Sequence, residues 1–148
     1  MRKLTAEFIF TIASDPVKNG VIILDNDGTI IDVSTSANDH PDAELFEGII
    51  CPGFINTHCH LELSQRSFAS PEQINKAISQ AETEMITNGI VAVADISNTN
   101  DTFQQKAKGN IHYHTFIEIF NPNPSKAQAV LEGGLALEQE LKDKQQKK

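Results

Sequence analysis

The sequence predicts an α/β protein in two parts: a β-rich, sandwich-like region over residues 1–52, then three β/α units over residues 53–148. Three observations carry this. Before residue 53 the apolar runs are short, rich in β-branched residues and separated by turn residues. After residue 53 short apolar runs alternate with stretches of helical periodicity, in the order βαβαβα. Hydrophobic residues make up 39% of the 148, with 8 glycines besides, an ordinary globular composition that excludes a mainly disordered chain.

In the first part, residues 7–13 (EFIFTIA) read as a strand. Residues 20–24 (GVIIL) and 29–33 (TIIDV) flank Asp25-Asn26-Asp27-Gly28, a tight-turn sequence, so 20–33 reads as a β-hairpin. That turn superficially echoes a calcium loop, but its twelfth position is Ser36 rather than glutamate, and the hairpin reading is preferred. Residues 34–42 (STSANDHPD) form a polar loop with His40 on the surface. Residues 47–50 lead into Cys51-Pro52-Gly53, where proline and glycine interrupt a strand ladder.

In the second part, residues 54–60 (FINTHCH) read as a strand. Residues 70–88 are the best-marked helix. Ser70 is an N-cap, Pro71 suits the first helical position and Gln73 completes a capping box. Ile74, Ala77, Ile78, Ala81 and Met85 form one apolar face, and Gly89 ends the helix. Residues 90–96 (IVAVADI) are nearly all apolar, as in a parallel strand covered on both faces. Residues 100–108 form a short helix ended by Gly109, and 111–120 a third strand. Residues 124–141 form a third helix, opened by Asn123-Pro124 and weakened by Gly133-Gly134. Strands joined by helices imply parallel pairing with right-handed crossovers. The length falls short of the ~200 residues that a complete (β/α)8 barrel needs.

Charge and hydropathy bound the partners. The net charge of −8 comes without any basic stripe, so no nucleic-acid partner is expected. The basic tail over 142–148 reads as a solvated end. No apolar run approaches the ~20 residues of a membrane span, and residues 8–13 are too short for a signal-peptide core. Neither a membrane partner nor export is therefore expected. Cys51 and Cys59 read as free thiols, and the expected location is cytoplasmic.

The residues most able to carry chemistry are His58 and His60. On a strand, side chains at i and i+2 share a face, so both imidazoles point one way and Cys59 the other. Two imidazoles so placed can converge on one divalent ion. They end a strand that leads towards a helix, where parallel α/β folds place their sites. A second pair, His112 and His114, also shares a face with Phe116 and Glu118. It reads either as half-buried strand polar residues or as an accessory substrate contact or second metal pair. Asp95 ends the second strand, as a cap or as an acceptor orienting a histidine.

With its flanks, this segment resembles a known family. GIICPGFINTHCHLELS (48–64) resembles the entry segment of the amidohydrolase superfamily, metal-dependent hydrolases and deaminases. GVIILDNDGTIIDV (20–33) resembles the strand-rich domain flanking the barrel in cytosine deaminase-like and chlorohydrolase-like members. NGIVAVADIS (88–97) and IHYHTFIEIF (111–120) resemble the second and third barrel strands. The resemblance implies that 53–148 are the first three β/α units of an incomplete (β/α)8 metal-dependent hydrolase barrel. It implies a divalent ion, zinc or alternatively iron, with His58 and His60 as ligands. It also implies a small-molecule substrate, whose C–N or C–halide bond is hydrolysed by a metal-activated water.

Two departures qualify that expectation. The family draws further ligands and its acid/base residue from later strands, and none of the five histidines stands in such a position. No catalytic residue is therefore assigned, and the chain alone is expected to be inactive, with oligomerisation or a complementing chain completing it. The passage from Leu61 to Ser70 is also short, so Ser64-Gln65-Arg66 marks either an internal deletion or a short loop. Two other readings stand beside the first. One is a small metal-binding protein using both histidine pairs, and the other is a non-enzymatic binding or structural module.

Overall fold

The computed structural model describes residues 1–65 and 70–145. The chain divides into two compact units, Met1–Pro52 and Gly53–Lys148. The first holds β1 (Arg2–Thr5), β2 (Phe8–Ile9), β3 (Val17–Lys18), β4 (Val21–Leu24), β5 (Ile30–Ser34), β6 (Glu44–Leu45) and β7 (Ile49–Ile50). They form a four-stranded sheet ordered β5-β4-β1-β6 and a three-stranded sheet ordered β3-β2-β7. Ala6, Ile9, Val21 and Ile22 are buried. An apolar cavity of about 410 Å3 is lined from both sheets, by Leu4, Ile22 and Val33 on one side and Ile9 and Ile50 on the other.

The hairpin over 20–33 is present as antiparallel β4 and β5. Its turn is closed by Asp25 N–H donating to the Thr29 carbonyl at 2.8 Å, with Gly28 at φ +88° where a side chain would be strained. The strand expected over 7–13 shrinks to β2. Ile12 takes φ +65°, which ends any extended run. The first strand, β1, lies earlier, in the charged start of the chain. There its exposed side chains find partners on the 42–44 segment, Arg2 with Glu44 at 2.8 Å and Lys3 with Asp42 at 2.9 Å.

The second unit runs β8 (Phe54–Cys59), α1 (Pro71–Thr87), β9 (Ile90–Ser97), α2 (Phe103–Lys106), β10 (His112–Ile117) and α3 (Ala127–Gln145). Its sheet is ordered β10-β9-β8, and both pairings are parallel. The capping box of α1 is complete: Gln73 N–H donates to Ser70 Oγ at 3.3 Å, and Ser70 N–H donates to Gln73 Oε1 at 2.7 Å. Gly53 is required by close approach, because a Cβ there would lie 2.2 Å from Val91 Cγ1. Burial is concentrated on Leu61, Ile78, Val93, Phe103, Ile111 and Leu141. One sheet face carries Val93, Asp95, Ser97, Tyr113 and Thr115, and it meets side chains of α1 and α2. The short helix is tighter than its predicted 100–108, because only Phe103–Lys106 keep α geometry.

The expectation attached to Ser64-Gln65-Arg66 and the passage to Ser70 falls on residues 66–69, outside the described residues, as do 146–148 of the basic tail. Among the described residues no helix is long and apolar enough to cross a membrane.

The two glycines inside α3 should respond differently to alanine. A Cβ on Gly133 meets nothing within 4 Å, whereas one on Gly134 would lie 2.8 Å from Ile119 Cδ1. Gly133→Ala should therefore stabilise the fold by about 0.5–1 kcal/mol in urea denaturation. Gly134→Ala should gain less, because Ile119 must move. Equal gains would contradict this placement of α3.

Candidate metal centre

The pairing of β8 with β9 decides where the histidines point. Asn56 is opposite Val93 and Cys59 opposite Asp95, so Thr57 and His58 together oppose the single residue Ala94. This is a β-bulge. Its effect is one of parity. Ile55 pairs with Ala92 and Cys59 with Asp95, yet Ala92 and Asp95 lie on opposite sheet faces. The bulge thus turns Cys59 to the helix-covered face and the histidines to the other. Asn56 supports it locally, accepting the His58 N–H on Oδ1 at 3.2 Å. The His58 and His60 ring centres are 5.4 Å apart, with planes inclined by 57°.

That spacing suits a shared ion. Two imidazoles on one tetrahedral zinc, with Zn–N of ~2.0–2.1 Å, place their ring centres about 5 Å apart. Neutral imidazole nitrogens also suit zinc or iron. Among the described residues no group of three or more His, Cys, Asp or Glu could hold a metal.

His112 and His114 share the open face but stand apart from this pair. His112 is in register with Ala92 and His114 with Ala94. His58 and His114 thus flank Ala94 from opposite edges of the sheet, two strand spacings or ~9–10 Å apart. The His114 ring meets the edge of Phe116, centroid to centroid 4.7 Å, on the same strand.

Asp95 lies on the helix-covered face and is fully buried. Its Oδ1 accepts the Leu61 N–H at 2.8 Å, and its Oδ2 accepts the Ser97 hydroxyl at 2.8 Å. Oδ2 also pairs with Lys106 Nζ at 2.5 Å, both side chains being buried. Asp95 stands two residues before the end of β9 rather than at it, and its partner beyond β8 is a backbone amide. Lys106 spends its other N–H donors on Ser97 Oγ and Thr115 Oγ1, each at 3.0 Å. Burial pulls its ammonium below the ordinary lysine range, and Asp95 opposes the shift. Burial and the Asp95 charge push the Cys59 thiol up, so it is no ready nucleophile. Glu62 braces the next position: its Oε2 accepts from Thr99 N–H at 3.0 Å, Thr99 Oγ1 at 2.8 Å and Asn98 N–H at 3.2 Å.

A sequence model of the amidohydrolase family matches residues 49–148, the histidine strand included. The chain belongs to the amidohydrolase family. Comparison with curated proteins gave no match. Among solved structures, Helicobacter pylori aminofutalosine deaminase in complex with methylthio-coformycin is similar at TM-score 0.74 and 20% identity, over 97% of this chain and 41% of that one. An adenosine deaminase from Xanthomonas campestris with bound zinc is similar at TM-score 0.61 and 15% identity, over 95% and 39% of the two chains. Guanine deaminase of E. coli is similar at TM-score 0.59 and 12% identity, over 83% and 38%. At these identities the likeness speaks for a shared amidohydrolase fold. The chain spans about two fifths of the length of each.

Within this amidohydrolase unit, sequence reasoning missed a second buried carboxylate. Glu82 of α1 accepts from Gln105 Nε2 at 2.5 Å, Asn110 Nδ2 at 2.8 Å and the Tyr113 hydroxyl at 2.9 Å. The signal was available, since Glu82 stands four residues after Ile78 on the apolar face of the helix. Burial first, and then the hydrogen bond to Glu82, push the Tyr113 phenol well above its ordinary 10.0.

Tyr113 is the only tyrosine in a chain without tryptophan, so its ionisation can be followed alone by ultraviolet absorption. The folded state holds the phenolic proton more tightly than the unfolded chain. Its contribution to stability is therefore complete below pH ~10 and falls as pH rises beyond. Phenolate absorption should appear only together with alkaline unfolding. A reversible titration near pH 10 in a still-folded protein would contradict the buried contact. Tyr113→Phe should also remove this share of the pH dependence in urea denaturation.

Proposed function

We propose that the chain supplies the first part of a metal-dependent amidohydrolase of deaminase type, acting on a small molecule at a C–N or, alternatively, a C–halide bond. The observation that carries this is the His58/His60 pair, side by side on the open face at the C-terminal end of β8. Parallel α/β sheets gather their ligands at that end of the strands. In this reading β8–α1, β9–α2 and β10–α3 are the first three units of a (β/α)8 barrel, and the uncovered sheet face belongs to its interior.

His58 and His60 would hold a divalent ion, zinc or iron. When bound, such an ion supplies Lewis acidity, drawing the pKa of water towards ~7 and polarising the group attacked. The chain's own contribution is placement. Asn56 and the bulge aim His58, and the tether at Leu61 fixes the backbone just beyond His60. His114 and Phe116 form an aromatic edge across the open face, available to a planar substrate.

Two ligands fall short of the three protein ligands of catalytic zinc sites. We therefore propose that the 148 residues alone bind metal weakly and do not turn over substrate, and that further β/α units complete the ligand set. The free Cys51 and Cys59 suit a reducing compartment such as the cytoplasm.

Titration with Zn2+ or Co2+, followed calorimetrically or by cobalt absorption, tests the assignment. One ion per chain is expected, lost in His58→Ala/His60→Ala and retained in His112→Ala/His114→Ala. Loss in the second variant alone, or equal binding by all, would sink the assignment of the first pair.

A further inference from the structure

We propose that Lys106 and Asp95, neither of which faces the open side of the sheet, are positioning residues that set the geometry of the His58/His60 pair. This rests on the metal-site reading above.

The argument begins where the ladder lapses. Across the bulge, β8 loses regular pairing with β9 between Asn56 and Cys59, and after Cys59 the strand ends. The backbone bearing the two histidines is thus a part of β8 where regular main-chain pairing lapses. Side chains take over at both ends. Before His58 the holder is Asn56, and after His60 it is Asp95, which accepts the Leu61 N–H at 2.8 Å.

A carboxylate can fix an amide only if it is itself immobile. Asp95 Oδ2 is held by Ser97 Oγ at 2.8 Å and Lys106 Nζ at 2.5 Å. Lys106 is in turn pinned by Ser97 on β9 and Thr115 on β10, with the rings of Phe103 and Tyr113 at 5.6 and 5.7 Å. Helix α2 therefore reaches through Lys106 and Asp95 to the residue following His60. Removing the ammonium leaves a buried carboxylate uncompensated, so Asp95 turns or draws in water and the Leu61 N–H loses its carboxylate acceptor. His60 then keeps only the Leu63 N–H on its carbonyl at 2.9 Å, while His58 keeps Asn56, and the convergence of the two rings loosens.

The test uses the full 148-residue chain and Co2+ as probe, under conditions where circular dichroism shows each variant folded. Asp95→Ala and Lys106→Met should weaken Co2+ binding by about tenfold to a hundredfold, the usual effect of losing a residue that orients a ligand. The double variant Asp95→Asn/Lys106→Met should recover most of the affinity, because an amide oxygen still accepts from Leu61 and no charge is left unpaired. It also carries the test if Lys106→Met alone fails to fold. Glu82→Gln, which alters a buried carboxylate bonded to neither Leu61 nor Lys106 and keeps an acceptor for Tyr113, should bind as the parent does.

Unchanged affinity in folded Asp95→Ala and Lys106→Met would overturn the proposal. So would equal weakening in Glu82→Gln, which would mark a general loss of stability. If the parent and His58→Ala/His60→Ala bind Co2+ alike, the metal reading fails instead. The coupling is then decided by nuclear magnetic resonance: the Leu61 amide and His60 ring signals shift in Lys106→Met if it holds, and stay if it does not.

Discussion

A carboxylate with no access to water must find its partners within the protein, and Asp95 finds them on three elements. It takes the amide of Leu61 beyond β8, the hydroxyl of Ser97 on β9 and the ammonium of Lys106 on α2. Lys106 extends the same network to Thr115 on β10. Each of the three parallel strands is thereby tied, at or just beyond its carboxyl-terminal half, to one buried pair of charges. Buried pairs contribute little net stability, since desolvation offsets most of the attraction. What this one contributes is specificity of position, because neither charge tolerates an arrangement in which the other has moved away.

Glu82 repeats the arrangement at the other end of the sheet. It gathers Tyr113 from β10, Gln105 from α2 and Asn110 from the segment before β10. Apolar burial on Ile78, Val93 and Phe103 supplies the driving force, and the two carboxylates fix how helices and strands align over it. The unit is hydrophobic in its cohesion and polar in its registration.

Much of this was legible in the sequence, for identifiable reasons. The Ser70–Gln73 box, the apolar run of β9 and the turn at Asp25–Gly28 are local signals, written in adjacent residues. The histidine pair was legible for the same reason. The bulge was not, because FINTHCH alternates without a break and only the partner strand reveals that two residues oppose one. Lys106 was hidden too: a lysine ending a four-residue helix reads as solvated, and its partner stands eleven positions earlier on another element. Asp95 was noticed, but its partner could not be chosen, since an amide on a neighbouring strand end leaves no trace in sequence spacing. In the first unit, strands of two residues fall below any periodicity, so β3 and β6 emerge only from their pairing.

The bulge in β8 also sets what kinds of sequence change this segment can absorb. Substitutions at Thr57 leave two residues opposite Ala94, and the faces stay as they are. Losing one residue there would remove the bulge and leave a regular ladder, with Cys59 still opposite Asp95 and the histidines still on the open face. A slip of one residue in the pairing of Cys59 with Asp95 would instead turn Cys59 outward and press the imidazoles against the buried carboxylate. What the segment must keep is therefore the pairing of Cys59 with Asp95, together with Asn56 and the histidines, and Thr57 is the position left free to vary in both identity and presence.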